Sequence, residues 1–118
     1  MGQLTVSSFY LARNAEAPIT ISIQLDFAQI GTIKVRMGPQ LLLSGVPPIE
    51  DVALGKNKEL KGKEIRCLID IIDIQPNTNK VGARITLKGG KHDQEFSVEN
   101  ELAEGDPAMF YTVKILII

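Results

Sequence analysis

Tryptophan is absent from this chain of 118 residues, and cysteine and histidine occur once each. Aromatic residues make up only 5% of it. Each scarcity removes a class of function. A lone cysteine cannot close an intrachain disulfide. Cys67 and His92 together cannot supply the four thiolate or imidazole ligands of a structural zinc site. A Cys–His dyad would have to use those same two residues. Cys67 falls on the apolar face of a strand pattern and His92 in a polar turn, so the sequence expects them apart. With no tryptophan and two tyrosines, the aromatic platforms of carbohydrate sites and the stacking surfaces of nucleic-acid binders are missing. No catalytic constellation, cofactor motif or phosphate-cradling loop emerges, and the expectation is a non-enzyme. Gly89-Gly90-Lys91 joins two strands rather than opening a helix.

Charge of one sign is also missing. Thirteen basic and fourteen acidic residues leave a formal charge of −1, which gives no overall field to draw nucleic acid or an anionic membrane. Lys56, Lys58, Lys61, Lys63 and Arg66 form the one basic bias, and Glu59 and Glu64 dilute it into a solvated loop. Apolar runs span only a few residues, so membrane insertion is not expected. The first residues lack a basic stretch followed by an apolar one, and Val6 stands where a myristoylation signal wants serine or threonine. A cytoplasmic location is the default expectation.

What is present is alternation. Ile19, Ile21, Ile23, Leu25 and Phe27 alternate with Thr20, Ser22, Gln24 and Asp26, which predicts a strand with one face on a core. Ile33, Val35 and Met37 repeat the pattern after a turn at Ala28–Gly31, as the second arm of a hairpin. The stretch 64–88 reads as a long central hairpin: Ile65, Cys67, Ile69 and Ile71 on one face, a turn at Gln75-Pro76-Asn77-Thr78-Asn79, then Ala83, Ile85 and Leu87. The apolar phase slips at Ile71-Ile72, as a β-bulge would make it. Further strands are predicted over 3–12, 94–100 and 108–118, with a short apolar segment at 40–44 before Pro47-Pro48 that lies at an edge or outside the sheet. Glu50–Gly55 reads as a single helical turn, and 56–59 as a charged loop. Turns recur about every eight to twelve residues, the spacing of a sandwich or barrel. The fold expected is one domain over 1–118, an antiparallel β-sandwich of seven or eight strands, with a closed barrel as second choice.

The final strand raises the functional question. Tyr111, Val113, Ile115 and Ile117 make one apolar face, yet Phe110, Leu116 and Ile118 leave the other apolar too. In a two-layer sandwich only one face meets the core. Either the segment from Leu41 to Pro48 covers the second face, or a subunit or partner does. The expected function is protein–protein contact, chiefly self-association into a homo-oligomer or a place in an assembly, with Phe110, Leu116 and Ile118 at the interface. The alternative is a ligand-binding module with a calcium-assisted loop-end site at Glu99, Glu101, Glu104 and Asp106. Asp70, a carboxylate within an apolar strand, reads as the guard of a sheet edge.

Overall fold

The computed structural model describes residues 2–118. Nine strands and one short helix follow in order among them: β1 (Gly2–Tyr10), β2 (Pro18–Leu25), β3 (Ile30–Met37), β4 (Gln40–Gly45), β5 (Ile49–Lys56), α1 (Asn57–Leu60), β6 (Glu64–Ile72), β7 (Lys80–Lys88), β8 (Gln94–Glu101) and β9 (Ala108–Ile117). They form two open sheets rather than a closed barrel. A five-stranded sheet has the order β1-β9-β6-β3-β4, and a four-stranded sheet has the order β5-β2-β7-β8. All neighbours are antiparallel except β1 and β9, which run parallel.

The inward residues are those that the alternation picks out. Ile65, Cys67, Ile69 and Ile71 from one sheet meet Ile19, Ile21, Ile23, Val81, Ala83, Ile85 and Leu87 from the other, all at or near zero exposure. Isoleucine dominates because a branched side chain packs well on a pleated surface. Each fully buried side chain of this size contributes about 1.5–3 kcal/mol relative to an exposed one.

Both predicted hairpins are corrected. β6 pairs with β3 and β9, whereas β7 pairs with β2 and β8, so the stretch 64–88 crosses from one sheet to the other. β2 and β3 likewise lie in different sheets. Alternation fixes which side chains face the core, and two strands facing each other across the core alternate just as two paired strands do. The real hairpin of this region is β3–β4, turning at Gly38-Pro39, where Gly38 has φ of 58°. No bulge occurs at Ile71-Ile72. β6 keeps an unbroken register to both neighbours through Ile72, which pairs with Ile30 and Ala108 and faces outward at 48% exposure. The register shifts lie instead between β2 and β5 and between β3 and β4.

Ile49–Lys56 is strand β5 rather than a helical turn, and the one helical turn is α1, where a loop was expected. The apolar segment at 40–44 is β4, an edge strand as its prolines suggested. Asp70 sits on the central strand β6 and guards no edge; it lies between Phe110 and Thr32 on the outer face.

A buried amide pins each end of the sandwich. Asn57, fully buried at the start of α1, accepts from the Arg13 backbone N–H at 2.8 Å and donates through Nδ2 to the carbonyls of Ala17 (2.8 Å) and Gly89 (2.9 Å). Gly89 must be glycine: its φ is 98°, and a Cβ there would run into the Pro18 carbonyl. At the other end Gln29 donates to the Asp73 carboxylate at 2.8 Å and the Lys80 carbonyl at 3.1 Å, and accepts from the backbone N–H of Ile74 at 2.8 Å. These side chains tie the connections that carry the chain between sheets.

Candidate interaction surface

The outer face of the five-stranded sheet follows from the strand registers. At one end Ala108, Ile72 and Ile30 lie side by side, and the next row is Gln3, Phe110, Asp70 and Thr32. The middle rows are Thr5, Thr112, Leu68 and Lys34, then Ser7, Lys114, Arg66 and Arg36. The last row is Phe9, Leu116 and Glu64. The face therefore has two apolar ends and a cationic middle.

The three residues singled out, Phe110 and Leu116 on β9 and Ile118 just past its end, all face outward, but they do not form one cluster. Phe110 is half-buried near Ile72 and Ile30, while Leu116 and Ile118 are each 42% exposed. Leu116 lies six positions beyond Phe110, roughly 20 Å at the rise of a strand. The structure adds a residue that the sequence pattern did not single out. Phe9 on β1 is the lateral partner of Leu116 and is 55% exposed. Its alternation with Ser8 and Tyr10 was visible, but nothing local reveals that β1 docks in parallel beside β9. The segment Leu41–Pro48 covers none of these residues, because β4 occupies the opposite edge, with β6 and β3 between it and β9.

The four acidic residues of the alternative reading are spread out. Glu99 and Glu101 lie on β8 opposite Gly82 and Lys80, and Glu104 and Asp106 lie in the turn before β9. Among the described residues no group of three or more His, Cys, Asp or Glu side chains is placed to hold a metal ion. The basic run is likewise dispersed: Lys56 and Lys58 both reach Glu16, at 3.1 and 3.6 Å, and Arg66 pairs with Glu64 at 3.3 Å.

A depression of about 240 Å³ lies on the outer face of the four-stranded sheet, between Ser22, Asp51, Arg84, Lys88 and Glu95. Its polar groups engage one another and their neighbours. The Asp51 N–H donates to Ser22 Oγ at 2.9 Å, Ser22 Oγ donates to Asp51 Oδ1 at 3.3 Å, and Arg84 Nε donates to Asp26 Oδ1 at 2.9 Å. Among the described residues, no helix is long and apolar enough to cross a membrane. Comparison with family models, curated proteins and solved structures found no match.

Cys67 and His92 do not meet. Cys67 is fully buried between β3 and β9, and His92 is exposed in the turn before β8. Burial pushes the Cys67 thiol up to about 12. Burial also pushes the Tyr111 phenol up to about 12, helped by the Glu99 charge. The folded state thus keeps these protons at a pH where the unfolded chain has lost them. Their contribution to stability is complete below the unfolded values and is lost as pH rises toward the folded ones. Urea melts should show stability falling by about 3–4 kcal/mol between pH 8 and pH 11, on the order of 1.4 kcal/mol per unit per group. Cys67→Ala should remove the part of the loss that begins first, near pH 9, the thiol's unperturbed value. An unchanged alkaline profile in that variant would contradict the assignment.

Proposed function

We propose that this chain is a non-catalytic β-sandwich that works through protein–protein contact, most simply by association with itself, using the side of the five-stranded sheet formed by β1 and β9. The observation that carries this reading is the cluster of Phe9, Leu116 and Ile118, exposed by 55%, 42% and 42% at neighbouring positions on one face. Single exposed apolar side chains are ordinary, but neighbouring ones mark contact surfaces. Further support comes from the small net charge, which leaves little self-repulsion to oppose association. Phe110, with Ile72 and Ile30, is a second apolar area on the same face and a secondary contact.

Leu116→Lys combined with Ile118→Lys should lower the native mass at a concentration where the wild type associates. The far-ultraviolet circular dichroism should stay the same, because both side chains point away from the core. A folded double variant that associates as tightly as the wild type would overturn the reading.

A further inference from the structure

The two sheets present four edge strands: β1, β4, β5 and β8. An edge exposes unpaired backbone N–H and C=O groups, and proteins ordinarily blunt such edges with charge, bulges, prolines or brevity. Three of the four carry such a device. β8 bears Glu95, Glu99 and Glu101. β5 bears Glu50, Asp51 and Lys56, and its register to β2 shifts twice. β4 is only six residues long, shifts register against β3 and runs into Val46-Pro47-Pro48.

β1 carries none of them. It pairs with β9 in unbroken register over its nine residues, and residues 2–12 contain no charged side chain. Its residues also lack the cover that their direction implies. Leu4 is the register partner of Tyr111, which is fully buried on the core side, yet Leu4 is 39% exposed. Val6, the partner of buried Val113, is only half-buried. Another strand beside β1 would complete both.

From these contrasts we infer that the free edge of β1 pairs with β1 of a second copy, antiparallel across a two-fold axis, joining the two sheets into one of ten strands, five from each copy. The inference rests on the self-association proposed above and adds to it a second contact, the backbone edge of β1, beside the outward face of Phe9, Leu116 and Ile118. A two-fold pairing of this kind is closed, since each copy uses its only unguarded edge on the other. Side chains must keep their faces, so residue numbers in each cross-strand pair sum to an even number. The register that uses the whole strand is centred on Val6. It sets Val6 against Val6, Leu4 against Ser8 and Thr5 against Ser7 of the second copy. No charge meets a like charge, and the ten-stranded sheet stays at the size that open sheets reach.

Thr5 and Ser7 are exposed and face outward, so charges there test the pairing without entering the core. Chains carrying Thr5→Lys with Ser7→Lys place two like-charged pairs across the axis. Their dissociation constant should rise about tenfold or more, as the cost of facing like charges implies. Chains carrying Thr5→Glu with Ser7→Glu should weaken in the same way. An equimolar mixture of the two should associate again as a heterodimer, and the amides of Gln3, Thr5, Ser7 and Phe9, which point to the free edge, should regain hydrogen-exchange protection. Thermal melts of each variant confirm that it is folded. A wild type that is monomeric at every concentration overturns both this pairing and the contact reading. An associating wild type whose Lys variant associates equally well overturns the pairing alone, as does a mixture that fails to recover.

Discussion

Asn57→Leu should lower the stability of this domain by about 3 kcal/mol, a large fraction of the 5–15 kcal/mol typical of folded domains. The melting temperature should fall by roughly 10 °C or more. The side chain is fully buried and makes three hydrogen bonds of 2.8–2.9 Å, to Arg13, Ala17 and Gly89. Leucine has a similar volume, so little packing is lost. What changes is that an N–H and two carbonyls lose the amide in a space from which water is excluded, and each such loss costs about 1–3 kcal/mol. The effect spreads because the three partners belong to three different segments: the connection after β1, the entry to β2 and the exit from β7. By contrast, the ion pairs of Glu16 with Lys56 and Lys58 lie at the same end of the sandwich with half or more of their side-chain surfaces exposed. Exposed pairs contribute about 0–1 kcal/mol, so Glu16→Ala should be close to neutral. Urea denaturation of the two variants side by side checks this ordering. A loss under about 1 kcal/mol for Asn57→Leu would contradict the assigned role.

Gln29→Leu should cost about 2–3 kcal/mol, and its effect should be concentrated at the opposite end. Its amide nitrogen reaches the Asp73 carboxylate and the Lys80 carbonyl, and its oxygen receives the N–H groups of Ile74 and Gln75, at 2.8 and 3.3 Å. One side chain therefore holds both ends of the crossing 73–79 against the turn that enters β3. Phe27 and Ala28 in that turn are left-handed, with φ of 60° and 53°, which non-glycine residues adopt only when their surroundings enforce it. Removing the amide should free the crossing before the rest of the molecule unfolds. Hydrogen exchange of residues 73–80 should accelerate well beyond the global loss, while β2 and β9 keep their protection. Uniform acceleration across the chain would mean that Gln29 contributes to overall stability without fixing this crossing.

These two amides also mark where the sequence stops being legible. The period-two pattern of Ile19–Ile23 and of Ile65–Ile71 reports faithfully on which side chains meet the core, because a strand offers only two faces. It cannot report which strand lies alongside. Strands within a sheet are about 4.8 Å apart, and facing sheets are about 10 Å apart. The connection 73–79 is long enough for either, so the same residues read equally well as a hairpin or as a crossing. The choice is made by long-range partners such as Gln29 and Asn57. Each looks like an ordinary loop residue until its bonding partners, 32 to 51 positions away, come together. The slip at Ile71-Ile72 misleads for a related reason. Ile72 and Ile74 are apolar yet exposed, so the pattern there records an outward patch instead of a bend. The residues of the proposed contact were half legible. An apolar outer face on β9 was readable from Phe110, Leu116 and Ile118, whereas Phe9 joins Leu116 only through the parallel docking of β1.

The central claim is that the uncovered side formed by β1 and β9 brings copies of this chain together. Light scattering of the wild-type protein across a dilution series tests it most directly. The account predicts a native mass near twice the 12.9 kDa of one chain at high concentration, falling toward that of the single chain on dilution. A mass of one chain at every concentration would contradict it.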